Sequence, residues 1–179
     1  MCGIVGYTGG RQAAPVVLDG LAKLEYRGYD SAGVAVSDGD GNIDIKKAKG
    51  KLKILFDLTD GGKSFNGTCG IGHTRWATHG EPSQNNAHPH CNDEHTIVAV
   101  HNGIIENYSQ LKDKLTRRGY TFYSDTDTEV ATKLVDYYYK KHGEPLKAIS
   151  EFALHARGSY ALAVLFKDFP GEIFAIRKD

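Results

Sequence analysis

The sequence predicts an α+β fold in which antiparallel sheets carry helices on their outer faces. Three observations lead there. Asp38-Gly39-Asp40-Gly41-Asn42 is a turn between a strand-like run, Ala32 to Ser37, and a second strand, which is a hairpin signal. Ser159 to Phe166 and Glu172 to Ile176 read as another strand pair, joined by a short turn at Lys167 to Gly171. The segments before that pair carry helical periodicity, and neighbouring strands joined by short turns favour layers of sheet and helix over an alternating α/β chain. One domain covering residues 1–179 is expected, because the 40% hydrophobic and 25% charged content is that of a globular chain of ordinary domain length. A chain of this size buries about 70% of the surface it exposes when unfolded, so it needs no disulfide or metal to fold.

Taken in order, Gly3 to Thr8 is a short buried strand. Val16, Val17, Leu21 and Leu24 recur at helical spacing between Pro15 and Tyr26, with Pro15 suited to a first turn. Leu52 to Leu58 is a short helix that stops before Gly61-Gly62, and Cys69 to Arg75 is a strand. Trp76 to Glu94 has no periodicity and is rich in Gly, Pro, Asn and His; a loop that long inside a domain is usually functional or disordered. Thr96 to His101 is a strand that Asn102-Gly103 closes. Tyr108 to Arg118 is an amphipathic helix ending at Gly119, and Thr126 and Glu129 have capping-box spacing before a helix to about His142. A last helix covers Leu146 to His155.

Composition excludes several functions. With 22 basic and 22 acidic side chains the formal net charge is zero, which disfavours a nucleic-acid or anionic-membrane partner. The longest apolar run, Tyr160 to Phe166, is far too short to span a bilayer, and no basic n-region marks a signal peptide. Cys2, Cys69 and Cys91 fit no disulfide framework or CxxC spacing, so the expected compartment is the reducing cytoplasm.

Two clusters could carry chemistry. His73, His79, His88, His90, His95 and His101 crowd one stretch, and His88-Pro89-His90-Cys91 brings possible metal ligands together. Standard zinc spacing is missing, so no metal is assigned and polar loop residues are the ordinary alternative. The second cluster starts at Cys2. Removal of Met1 would give one residue both a thiol and a free α-amine, whose ordinary pKa values of about 8.5 and 7.7–8.0 suit proton transfer between them. A small hydrophobe at a strand start is the ordinary alternative. Asn102-Gly103 could supply a side-chain amide and a backbone N–H to an oxyanion, or simply form a turn. Arg75 could fork onto a carboxylate, and Asp127 could hold an ammonium or answer the dipole of its own helix. Together these describe an α-amino acid held by both charged ends, its side-chain carbonyl facing a thiolate.

Cys2-Gly3-Ile4-Val5-Gly6 resembles the opening of the class II glutamine amidotransferases, which are N-terminal-nucleophile hydrolases. More narrowly, YRGYDSAG (26–33), HTRWATHGEPS (73–83), NAHPH (86–90), HNGIIEN (101–107) and SDTDTEV (124–130) are similar to the glutaminase domain of the glucosamine-6-phosphate synthase family. The resemblance implies a four-layer αββα sandwich of two antiparallel sheets. It implies Cys2 as nucleophile and, through its α-amine, as base, with Asn102 and Gly103 as the oxyanion hole. Arg75 would bind the α-carboxylate of L-glutamine and Asp127 its ammonium, with Thr78 and His79 lining the same loop. Trp76 would gate an ammonia path, while Arg27 and Tyr29 would support the nucleophile and face a second domain.

No cofactor is implied. The expected partner is a sugar isomerase domain with a fructose 6-phosphate site, which nothing in this chain resembles, so the chain is expected to be an excised part of a homo-oligomeric enzyme. By itself it should only hydrolyse glutamine. The alternatives are the glutaminase domain of a purine-pathway phosphoribosyl amidotransferase or an asparagine synthetase, and a non-catalytic His-rich metal-binding module. YRGYDSAG and WATHGEPS argue against the first two.

Overall fold

The computed structural model describes residues 2–76 and 80–179. One sheet has the order β1-β4-β2-β3, formed by β1 (Gly3–Thr8), β2 (Ser31–Ser37), β3 (Ile43–Lys49) and β4 (Cys69–Arg75). The other has the order β5-β6-β7-β8, formed by β5 (His90–Cys91), β6 (Ile97–Gly103), β7 (Tyr160–Phe166) and β8 (Phe174–Lys178). Every pairing is antiparallel.

Period-two alternation builds four layers. In β2, Ala32, Val34 and Val36 pack outward against α1 (Ala13–Leu24) and α2 (Leu52–Leu58), whereas Ala35 packs inward with Cys69 and Ile71. In β6, Ile97 and Ala99 face α3 (Tyr108–Thr116), α4 (Asp127–His142) and α5 (Pro145–His155), whereas Val98 and Val100 face the first sheet. In β7, Leu162 and Val164 go out, and Ala163 and Leu165 go in. The two inner faces therefore share one apolar seam, each buried Val, Leu or Ile contributing about 1.5–3 kcal/mol. The expected αββα sandwich of two antiparallel sheets is what the chain forms.

Several boundaries differ from the sequence reading. Helix α1 begins at Ala13, so Pro15 falls in the first turn, where a missing N–H removes no helical bond. Strand β8 lies two residues later than expected, because Glu172 N donates to Phe169 O in a turn and Ile173 packs into the inter-sheet core. Asn102-Gly103 does not close β6 in a turn. Both residues stay in the strand, opposite Ala161 and Tyr160. The long loop passes against the inner face of the first sheet at His88 and then forms β5. A Cβ at Gly33 would lie 2.0 Å from His88 O, so only glycine admits that approach.

Candidate active site

Corresponding ends of the two sheets bring three separate segments together. Gly3 pairs with Thr74, which sets Cys2 beside Arg75 and Trp76. Trp76 N donates to Cys2 Sγ at 3.2 Å, and the thiol faces Trp76 O at 3.5 Å. From the opposite sheet, Asn102 Nδ2 donates to Cys2 O at 3.2 Å. The Asn102 Oδ1 atom lies 2.8 Å from His73 Nε2. Gly103 has φ +112, and a Cβ there would meet Ser159 O at 2.2 Å, so the strand end at the site requires glycine.

A cavity of about 20 Å³, room for about one water, is lined by Cys2, Arg75, Trp76, Gly103, Thr126 and Asp127, with His88, His101 and Thr128 behind them. Arg75 is 3% exposed, and its guanidinium donates to Gly80 O at 2.9 Å. Burial lowers its pKa, while Cys2, Asp30 and Asp127 oppose that loss. Asp127 opens α4 after the N-cap Thr126, whose hydroxyl accepts from Glu129 N. Its Oδ2 accepts from Ile105 N at 2.9 Å, and its Oδ1 lies 3.7 Å from His101 Nδ1. The capping-box spacing is half realised. The Glu129 carboxylate turns away from the cap and accepts from Ser124 N and Ser124 Oγ, both at 2.7 Å.

The remaining sequence-assigned residues divide into three groups. Arg27 lines a groove of about 630 Å³ on the other side of Cys2, together with Asn102, Ile176 and Arg177. Tyr29 stands edge-on to the half-exposed Trp76, their ring centroids 5.6 Å apart. Thr78 and His79 lie outside the described residues. Arg75, Trp76, Asn102, Gly103 and Asp127 thus meet around Cys2, with Arg27 and Tyr29 on its rim.

His73, His88, His90 and His101 are buried and packed together, whereas His95 is the exposed loop residue that composition suggested, and His88, His90 and Cys91 do not converge on one point. His73 and His88 stack at 4.0 Å, and His88 meets His90 edge-on at 5.1 Å. His88 Nε2 bonds to Thr128 Oγ1, His90 Nε2 to Thr126 Oγ1 and His90 Nδ1 to Tyr123 Oη, while Cys91 Sγ faces His95 Nδ1 at 3.4 Å. This stack supports the first turn of α4 from below. Asn86 assists by accepting from Asp125 N and donating to Glu81 O. Sequence reasoning read Thr126 only as a helix cap and His88 only as a possible metal ligand, and gave no site role to His73, Asn86 or Thr128. No spacing rule places these residues together, because His88 lies in the loop and Thr126 and Thr128 lie at the start of a helix, where residues two apart do not share a face.

Burial, opposed by the Asn102 hydrogen bond, pushes the His73 pKa down to about 3, and burial drives His88 and His90 well below their usual range. An unfolded chain takes up these protons below about pH 6.5 while the native chain refuses them. Stability is therefore full above about pH 6.5 and falls as pH drops toward 3. His73 alone should cost about 2 kcal/mol between pH 6.5 and 5, with His88 and His90 adding in the same direction. Urea midpoints at pH 7.5 and pH 5 test this; equal midpoints would contradict it.

Residues 73–178 match the model of a family described as a glutamine amidotransferase domain. The whole chain aligns at 56% identity with glutamine–fructose-6-phosphate aminotransferase [isomerizing] of Caldanaerobacter subterraneus subsp. tengcongensis, covering 29% of that protein. The protein of the same name from Pyrococcus horikoshii is 50% identical, again over 100% of this chain and 30% of its own length. The chain thus spans less than a third of the curated relatives it matches. Among solved structures, a glutamine phosphoribosylpyrophosphate amidotransferase from B. subtilis superposes with TM-score 0.78 at 27% identity, over 93% of this chain and 35% of that one. A class-II glutamine aminotransferase domain protein from Silicibacter pomeroyi, at 16% identity and TM-score 0.53, shares the fold.

Proposed function

The chain belongs to the glutamine amidotransferase domain family, and from that premise we propose that it hydrolyses the side-chain amide of L-glutamine to L-glutamate and ammonia through a thioester on Cys2. One observation carries the reading. The Asn102 amide reaches the Cys2 main chain from the opposite sheet, while a guanidinium and a carboxylate line the cavity that Cys2 opens on.

The proposed order of events follows from those positions. Arg75 takes the α-carboxylate and Asp127 the α-ammonium, which leaves the side-chain carbonyl over Sγ. The thiol passes its proton to the α-amine of Cys2 and attacks the amide carbon. Asn102 Nδ2–H and Gly103 N–H stabilise the oxyanion, and the amine protonates the departing ammonia. Water, deprotonated by the same amine, then releases glutamate and restores the thiol. Trp76 N–H, already on Sγ, favours the thiolate before attack and again as it leaves the thioester carbon. Thr78 and His79 complete the glutamine loop in this reading. Because the cavity holds about one water, its lining has to shift for glutamine to enter.

For the whole protein, we propose the activity that its relatives' names carry: ammonia is delivered to fructose 6-phosphate, giving glucosamine 6-phosphate in a sugar isomerase domain beyond this chain. Trp76, Tyr29 and Arg27, on the rim of the site, face that domain in this reading. The 56% identity to a fructose-6-phosphate enzyme favours this over a purine-pathway acceptor.

The test is glutamate release from L-glutamine by the 179-residue chain, alongside Arg75→Lys. Lysine keeps the charge but loses the fork, so KM should rise about 100-fold with kcat changed far less. No glutamate from a folded chain lacking Met1 would overturn the proposal.

A further inference from the structure

We propose that His73 is a positioning residue for the oxyanion hole: its Nε2–H holds the Asn102 side-chain amide in the one orientation that keeps an N–H aimed at the reacting carbonyl. The inference rests on the function proposed above and adds a residue to it.

A terminal amide turns easily, because its last torsion has no sharp staggered wells. At Asn102 both ends of the amide are engaged. Cys2 O can only accept, so the atom 3.2 Å from it must be the nitrogen. Oδ1 then faces His73 Nε2 at 2.8 Å, and because Oδ1 can only accept, that ring nitrogen carries the proton. One Nδ2 hydrogen is used on Cys2 O and the second remains for the oxyanion. Turning the amide over would place Oδ1 against Cys2 O and against the developing negative charge, repulsive in both places.

His73 suits this task. It sits in β4 between Ile4 and Gly33 of the neighbouring strands, wholly buried and stacked on His88 at 4.0 Å. The ring is therefore fixed in plane as well as in position. Burial keeps it neutral across the working pH range, so it donates a hydrogen bond without moving charge into the site. A protonated ring would instead pull Oδ1 and its own charge toward the thiolate, changing the chemistry with pH.

His73→Phe keeps the stacked ring and removes the N–H, and His73→Gln restores an N–H donor in place of the ring. For glutamine hydrolysis, His73→Phe should lower kcat by about 10–100-fold with KM within about threefold, somewhat less than the 10²–10³ expected for removing an oxyanion donor outright. His73→Gln should recover most of that loss. In an Asn102→Ala background, His73→Phe should add almost nothing, because its effect passes through Asn102. A further 10-fold loss there, or wild-type kcat in His73→Phe, would overturn the proposal.

A variant that does not fold leaves a measurement on the unaltered protein. Nitrogen-15 spectra of the histidine rings should show the His73 proton on Nε2 from pH 5 to 8. A proton on Nδ1 would overturn the assignment. Silent wild-type enzyme would count against the glutaminase reading, whereas the ring spectrum tests the His73–Asn102 tether independently of activity.

Discussion

Cys2→Ala is expected to lose at least 10⁴-fold in glutamate release, to the detection limit, with its urea midpoint unchanged. Among the described residues lining the cavity, Cys2 carries the only thiol. Cys69 is walled between the sheets, and burial raises its thiol pKa, which disfavours the thiolate. Cys91 is the more serious rival because His95 Nδ1 stands 3.4 Å from its sulfur, the arrangement of a nucleophile and its base. Burial raises the Cys91 pKa as well, and the side chain lines a different groove, one without Arg75, Asp127 or Asn102. Cys69→Ser and Cys91→Ser should therefore keep kcat within about threefold, at some cost in stability for a hydroxyl placed in an apolar seam. Activity that survives Cys2→Ala and disappears in Cys91→Ser would transfer the chemistry to the second groove.

Much of the fold was legible because inner and outer residues alternate strictly in the central strands. Val34 and Val36 against Ala35, and Val98 and Val100 against Ala99, already specify two faces for each sheet. The helices announced themselves by spacing and by the Thr126 cap. What could not be read was the loop. His88, His90 and Cys91 look like ligands in one dimension, yet Thr128 of α4 and its N-cap Thr126, 40 and 36 residues away in the chain, engage the two rings. Asn102-Gly103 is ambiguous for a similar reason. Local propensity favours a turn, but pairing with β7 carries the strand through and points the amide at the other sheet. The candidate site residues were named one at a time by chemistry and by resemblance, whereas the supports beneath them depend on contacts made only after folding.

A preparation that keeps Met1 is expected to be inactive, and specific activity should scale with the fraction of chains that begin at Cys2. The reason lies in what surrounds the thiol. Among the described residues, Sγ hydrogen-bonds only to the main chain of Trp76, whose N–H can favour a thiolate and whose carbonyl is no base. Burial keeps the His73, His88 and His90 rings neutral, and their bonds go to Asn102, Thr128 and Thr126. His101 and Asp127, which also line the cavity, are engaged with each other, with Thr128 and with Ile105 N. That leaves the α-amine of Cys2, carried by the same residue as the thiol, as the proposed acceptor. An amide bond to Met1 removes that lone pair entirely, so the loss is that of the base and not a partial misplacement. Intact mass read beside activity across preparations gives a line through the origin if this is right. Full activity from Met1-bearing chains would move the base to another group, and His79→Asn would then be the variant to compare, since that imidazole stands in the same segment as Arg75.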